Sequence, residues 1–127
     1  MIIGLGTDIT NVNRFANLVK NERFIKRILT PTEIQNYSSV DIKKRANFLA
    51  KKFAGKEAFS KALGCGIGGT FLQKENIFTF QSIEILKKES GAPVINLLQN
   101  YLKNHITSSF ISFSDEKEIV SCTVILC

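Results

Sequence analysis

The sequence DIKKRANFLAKKFAGKEAFSKAL at residues 41–63 decides the fold, because it predicts one helix of about six turns that ends at Gly64. At about 100° per residue, its apolar side chains share one face, formed by Ile42, Ala46, Leu49, Ala50 and Phe53. Glu57 falls between Ala46 and Ala50 on this wheel, so we expect its carboxylate to point into the packed side. A carboxylate there costs several kcal/mol unless a cation or hydrogen-bond donors satisfy it.

Two cations could satisfy Glu57. The first is Lys61, one turn further along the helix, although exposed pairs at this spacing are common and contribute only about 0.2–0.5 kcal/mol. The second is a divalent metal ion shared with Asp8, which ends an apolar first strand and could otherwise simply cap the next helix. Magnesium binds one or two protein carboxylates and completes its shell with water and phosphate oxygens. Asp8 and Glu57 together therefore predict a phosphate-handling site.

The residues before the long helix predict a buried strand and further helical segments. Residues 2–9 are apolar and β-branched, and Gly4 and Gly6 within them allow another backbone to approach closely. The other predicted elements are a helix from residue 10 or 11 to about 20, an amphipathic turn at 24–29, and a helix that starts at the capping box TPTE of residues 30–33.

Beyond the long helix the pattern changes to a period of two, which is typical of strands. The predicted elements are strands at 77–84 and 94–98, a turn at 91–93, a short helix at 98–104, and a closing hairpin of 109–114 and 119–126. This order predicts an α+β fold with a mostly antiparallel sheet packed on one long and several short helices.

Length and composition favour a single domain over residues 1–127. No apolar run approaches the roughly 18 residues that span a bilayer, and no basic, apolar leader opens the chain. Three cysteines form no CxxC pair, which argues against a disulfide framework. We therefore expect a cytoplasmic protein with no membrane partner.

The net charge of +6 is concentrated in two segments. Residues 14–27 carry five Lys or Arg against Glu22, and residues 41–61 carry seven against two acids. The basic face could meet an anionic partner or could simply be solvated. Nucleic acid is not the expected partner, because the phenylalanines fall at core periodicities and no base-stacking motif is present.

GCGIGG at residues 64–69 matches the letters of the dinucleotide fingerprint GxGxxG. That fingerprint requires a strand before it and a helix after it, whereas a long helix precedes this segment and no helical pattern follows. A glycine-rich loop could still offer backbone N–H groups to a phosphate, or it could be only the end of the helix.

GTDI at residues 6–9 and FAGKEAFSKA at residues 53–62 resemble the two signature motifs of the 4′-phosphopantetheinyl transferases. Their spacing, the glycine-rich segment and the Gly91-x-Pro93 element resemble the short bacterial type, and the resemblance runs end to end. It implies transfer of phosphopantetheine from coenzyme A to a serine of apo-acyl carrier protein in fatty acid biosynthesis. It also implies the fold of that family, a homotrimer, and active sites between subunits.

The resemblance assigns roles to particular residues. Asp8 and Glu57 match Mg²⁺ ligands, and Lys61 matches a catalytic lysine at the coenzyme A phosphates. Further coenzyme contacts fall on Lys44, Arg45, Gly64 and Pro93. Docking of the acidic carrier protein falls on Arg14, which Arg23, Lys26 and Arg27 could assist. Either Glu57 or a metal-bound water could serve as the base for the attacking serine.

Three positions depart from the pattern of the family. Asp115 stands where many members have His, which puts one nucleotide contact in doubt; Ala92 replaces a frequent basic residue, and Cys65 a frequent Thr. Read from chemistry alone, the carboxylate pair also suits a magnesium-dependent phosphatase or nucleotide transferase.

Overall fold

The computed structural model describes residues 1–127 as one α+β unit with two antiparallel sheets. In chain order its elements are β1 (Gly4–Asn11), a 3-10 turn (Val12–Phe15), α1 (Glu22–Ile28), α2 (Pro31–Ser38), a 3-10 turn (Ile42–Lys44), α3 (Arg45–Leu63), β2 (Ile83–Lys87), β3 (Pro93–Leu97), α4 (Asn100–His105), β4 (Ser109–Glu116) and β5 (Ile119–Leu126). The larger sheet has the order β1-β5-β4, and β2 pairs with β3. The expected α+β class with antiparallel pairing is confirmed. None of the α-helices has the combination of length and apolar sequence that a bilayer span needs.

β1 lies directly against α3 because two of its residues have no side chain. A Cβ atom on Gly4 would stand 1.9 Å from the carbonyl oxygen of Ala62, and one on Gly6 would stand 1.9 Å from that of Ala58. The expected close backbone approach at both glycines is confirmed. Since alternate residues of a strand share a face, Asp8 lies on this same helix-facing side of β1.

We expect Gly6→Ala to destabilise the fold, because the added methyl group collides with helix backbone that cannot move aside. Overpacking a core typically costs about 1–3 kcal/mol, and a contact with backbone should place this variant at the upper end. Gly91→Ala is the control, because Gly91 has open space around it and only its positive φ of 87° is strained. Urea unfolding would measure both; an equal or smaller loss in Gly6→Ala would contradict the proposed contact.

α3 is a central helix that is covered on several sides. Ten of its nineteen residues are buried, and it contacts β1, β5, the first 3-10 turn, β2 and β4. The expected single apolar face is therefore wrong: Ile42 is 69% exposed, whereas Lys56 is completely buried and Glu57 only half-buried. A wheel with one packed side misplaces side chains on a helix that is packed all round.

The side chain of Lys56 is held in the core by a closed polar network. Its ammonium donates to Glu33 Oε1 at 2.6 Å and to the carbonyls of Ile28 and Phe80 at 2.8 and 2.7 Å. Glu33 is also fully buried and accepts from the backbone N–H of Thr30 and Ile85. Burial lowers the pKa of Lys56, and Glu33 opposes that shift. The network joins α3 to the start of α2, the end of α1 and β2.

Several predicted boundaries are corrected by the structure. The helix expected up to residue 20 is only a 3-10 turn, although Asn11 caps it as expected, and the turn at 24–29 belongs to α1. The strand expected at 77–84 begins only at Ile83. The preceding residues turn instead, because the Gln81 side chain donates to carbonyls at the end of α1. The capping box at Thr30 is confirmed.

Candidate active site

Asp8, Glu57 and Lys61 lie together where β1 crosses the second half of α3. Lys61 Nζ donates to the carbonyl of Thr7 at 3.0 Å and to Asp8 Oδ1 at 3.2 Å. The Asp8 side chain is only 14% exposed. Burial raises the pKa of Glu57, the Asp8 carboxylate raises it further, and Lys61 and Arg14 oppose the shift. Glu57 lies one helical turn before Lys61, the residue that binds Asp8, so the two carboxylates belong to the same region of the surface.

The cation of Lys61 pairs with Asp8 and not with Glu57, so the expected i, i+4 pair is not formed. Since β1 packs directly on α3, its Thr7 carbonyl and Asp8 carboxylate together offer Lys61 a better set of acceptors than one half-buried carboxylate. The helix-stabilising alternative for Glu57 and Lys61 is thereby excluded. Glu57 is left with a carboxylate that no ion pair satisfies.

The donor set of this site suits a hard divalent cation held partly by other ligands. Two carboxylates converge, and no group of three or more His, Cys, Asp or Glu is present that would complete a shell from protein alone. This is the number of protein ligands that Mg²⁺ uses when phosphate oxygens and water complete its shell. A cation would also relieve the repulsion that raises the pKa of Glu57.

A second cleft, which we call the lysine cleft, lies along the first half of α3 between β2, β3 and β4 and has a volume of about 510 Å³. Its lining carries four lysines, namely Lys44, Lys51, Lys52 and Lys87. Pro93 also lines it, so two residues assigned by resemblance, Lys44 and Pro93, do meet here. Lys51, Lys52 and Lys87 were missed, although Lys44 and Lys51, seven residues apart, share a helix face.

Lys52 is the least exposed of the four lysines. Its ammonium donates to the carbonyl of Ile85 at 2.5 Å and lies 4.8 Å from the ring centre of Phe48. Desolvation lowers its pKa to about 8. Lys52 therefore tethers α3 to β2. Of the other three lysines, Lys44 and Lys87 make no ion pair.

Arg45 and Gly64 lie outside the lysine cleft. The Arg45 guanidinium donates to the carbonyls of Val40 and Ser38 and lies over the Tyr37 ring. Gly64 ends α3 in a left-handed conformation with φ 80°. Within one chain the nucleotide-contact residues assigned by resemblance are thus not assembled around one cavity.

The four predicted docking cations are exposed and lie on two neighbouring elements. Arg14 lies over the rings of Phe15 and Phe53, and its guanidinium donates to Thr10 Oγ1 at 3.1 Å. Thr10 is two residues after Asp8 on β1, and Phe53 is one turn before Glu57 on α3, so Arg14 lies beside the carboxylate pair. The other three are on α1: Arg23, Lys26 and Arg27.

The glycine-rich segment is a loop after a helix, as its context indicates. Gly64, Gly66 and Gly68 all have positive φ, and no helix follows before residue 83. The dinucleotide fingerprint therefore lacks both of its flanking elements. His105 lies in the last turn of α4, and its Nδ1 is 2.7 Å from the carbonyl of Tyr101.

Residues 4–123 match the sequence model of the 4′-phosphopantetheinyl transferase superfamily. The chain belongs to this family. Among curated relatives, a holo-[acyl-carrier-protein] synthase of Bacillus subtilis is 45% identical over 75% of this chain and 74% of its own. Another of that name, from Orientia tsutsugamushi, is 38% identical over 98% and 97% of the two chains.

This phosphopantetheinyl transferase is also similar in fold to solved structures of holo-[acyl-carrier-protein] synthases. The Neisseria meningitidis holo-[acyl-carrier-protein] synthase superposes with a TM-score of 0.84 at 36% identity, over 99% of this chain and 98% of its own. The Helicobacter pylori enzyme, solved in complex with coenzyme A, has a TM-score of 0.78 at 30% identity over 97% and 99%. The fold implied by the two motifs is confirmed.

Proposed function

We propose that this enzyme transfers the 4′-phosphopantetheine group of coenzyme A to a serine of apo-acyl carrier protein. The products are holo-acyl carrier protein and adenosine 3′,5′-bisphosphate, and the reaction serves cytoplasmic fatty acid biosynthesis. The observation that carries this function is the convergence of Asp8, Glu57 and Lys61, all three within the family motifs, in a chain similar to such synthases from end to end.

The residues of this site have separable roles. Asp8 and Glu57 would hold Mg²⁺, which when bound supplies positive charge to the diphosphate of the coenzyme. Lys61, already turned to the same side by Asp8, places a further cation at the phosphate oxygens as their charge grows. Either Glu57 or a water held by the metal ion would accept the proton of the attacking serine.

A homotrimer would explain why the site is divided within one chain. From Phe48 in the lysine cleft to Lys61 at the carboxylate pair, α3 rises about 20 Å, so the two regions are far apart in a single subunit. The face of the larger sheet that points away from α3 carries one apolar row that crosses all three strands. Leu5, Ile125 and Phe110 lie side by side across its three strands, with Leu5 62% and Phe110 59% exposed. Association through this face buries it.

Phe110→Glu should separate the subunits, because a buried carboxylate without a partner is costly. Sedimentation velocity should then change from three chains to one, and transfer activity should fall with it. Leu72→Glu is the control, since Leu72 is equally exposed but lies outside the sheet. A monomeric wild-type protein with full activity would contradict the trimer.

Arg14→Glu should weaken the binding of acyl carrier protein by about ten-fold at low salt and leave coenzyme A affinity nearly unchanged. The carrier protein is acidic, and Arg14 is an exposed cation beside the carboxylate pair. Lys103→Glu, on α4, makes the same charge change away from this surface. Titration of each ligand separately measures the effect; equal losses for both would reject a docking role.

The reaction itself is tested by mixing the enzyme with coenzyme A, Mg²⁺ and an apo-acyl carrier protein. Mass spectrometry should show the carrier protein gaining one phosphopantetheine group at its serine. A magnesium-dependent phosphatase would instead release phosphate from the coenzyme and leave the carrier protein unchanged. That outcome would overturn the proposed transfer.

A further inference from the structure

Asp115 brings a negative charge to the rim of the lysine cleft. The lining of this cleft contains lysines but no carboxylate. Asp115 reaches its edge from β4, where Oδ2 lies 3.6 Å from Lys51 Nζ and accepts a hydrogen bond from Asn47 Nδ2 at 3.4 Å. Lys51 and Asn47 both line the cleft. One of its cations is thus paired within the protein itself.

The register of β4 fixes this placement. Ile111 and Phe113 line the cleft and pack against α3 at Gly55, where both would meet an added Cβ. Asp115 is two residues further along the same strand, and alternate residues share a face. Glu116, the next residue, is on the opposite face and makes no ion pair. Only the first of these two adjacent acids is directed at the cleft.

We propose that Asp115 competes with the phosphate groups of the ligand for Lys51, and so weakens the binding of phosphorylated nucleotides in the lysine cleft. This inference rests on the proposed function, and it places the nucleotide part of coenzyme A in the lysine cleft, where Lys44 and Pro93 meet. In the free protein Lys51 is neutralised by Asp115. An incoming phosphate must displace that carboxylate and then remain beside it.

The exposure of the pair makes such an exchange feasible. The side chains of Lys51 and Asp115 are 34% and 43% exposed, and ion pairs of this kind hold weakly because water and salt screen them. A dianionic phosphate attracts Lys51 more strongly than a carboxylate does. Asp115 therefore lowers affinity without blocking the cleft, and it speeds the release of the bisphosphate product.

The test is calorimetric titration of adenosine 3′,5′-bisphosphate into wild-type enzyme and four variants at low salt: Asp115→Asn, Lys51→Gln, the double variant and Glu116→Gln. Asp115→Asn keeps the shape of the side chain and frees Lys51, so it should bind the bisphosphate about five-fold more tightly. Lys51→Gln should bind it more weakly. In the Lys51→Gln background, Asp115→Asn should have a clearly smaller effect on affinity, because the lysine for which Asp115 and the phosphate compete is absent.

Glu116→Gln changes the net charge by the same amount on the opposite face of β4, and it should leave the affinity within two-fold of wild type. If Glu116→Gln and Asp115→Asn raised the affinity for the bisphosphate equally, the change in net charge alone would explain the effect, and the inference would be overturned. Unchanged affinity in Asp115→Asn, with normal binding by wild type, would overturn it while leaving the proposed function intact. Absence of bisphosphate binding by wild type and Asp115→Asn alike would overturn both.

Discussion

Lys56→Met should destabilise the enzyme by about 3–5 kcal/mol, which is the usual cost of removing one partner from a buried ion pair. Lys56 and Glu33 are both completely inaccessible to solvent. Without the ammonium, the Glu33 carboxylate keeps only its two backbone donors, and the carbonyls of Ile28 and Phe80 lose the donor they share. Methionine fills most of the volume, so the loss reports the polar network and not a cavity.

Lys51→Met is the matched control for this variant. Lys51 is on the same helix and also forms an ion pair, but its side chain is 34% exposed. Exposed pairs contribute about 0–1 kcal/mol, so the control should unfold near the urea midpoint of wild type. If Lys56→Met unfolded within about 1 kcal/mol of wild type, the buried network would not carry the stability that its geometry indicates.

The sequence was sufficient where structure depends on neighbouring residues. The capping box at Thr30 and the left-handed Gly64 are determined by local backbone chemistry, and both are confirmed. The two glycines of β1 predicted that another backbone packs closely against the strand, and the backbone of α3 does so. The pairing of Asp8 with Glu57 was made on chemical grounds and stays a prediction; the structure adds that Lys61, one turn after Glu57, binds Asp8.

The sequence was not sufficient where several distant segments of the chain together position one side chain. The wheel assigned the buried charge on α3 to Glu57, whereas Lys56 is buried. The end of α1, the start of α2 and the segment before β2 contact a side of the helix that the wheel treats as solvent. The lysine cleft has the same origin, since its walls come from α3, β2, β3 and β4. The periodicity of apolar residues within one segment does not predict contacts between segments that are distant in the sequence.

Glu57→Gln should abolish phosphopantetheine transfer and leave the fold intact, and Asp8→Asn should do the same. Loss of one preorganised charge-stabilising group typically costs about 10²–10³ in rate, and a metal ligand that is also a candidate base should cost at least that much. Rates of transfer to apo-acyl carrier protein in saturating Mg²⁺ measure the effect. Glu75→Gln, at an exposed loop carboxylate, is the control and should retain full activity.

Glu57→Gln should lose activity but should not lose stability. The pKa of Glu57 is raised by burial and by Asp8. Folding therefore disfavours its ionised form, and the free energy of unfolding falls as the pH rises from the unfolded pKa through the higher folded pKa. At neutral pH without metal, the neutral glutamine should unfold at an equal or higher temperature than wild type. Mg²⁺ should raise the unfolding temperature of wild type and not that of Glu57→Gln. A variant that keeps near-normal transfer, or that Mg²⁺ still stabilises, would show that residues 8 and 57 do not share the ion.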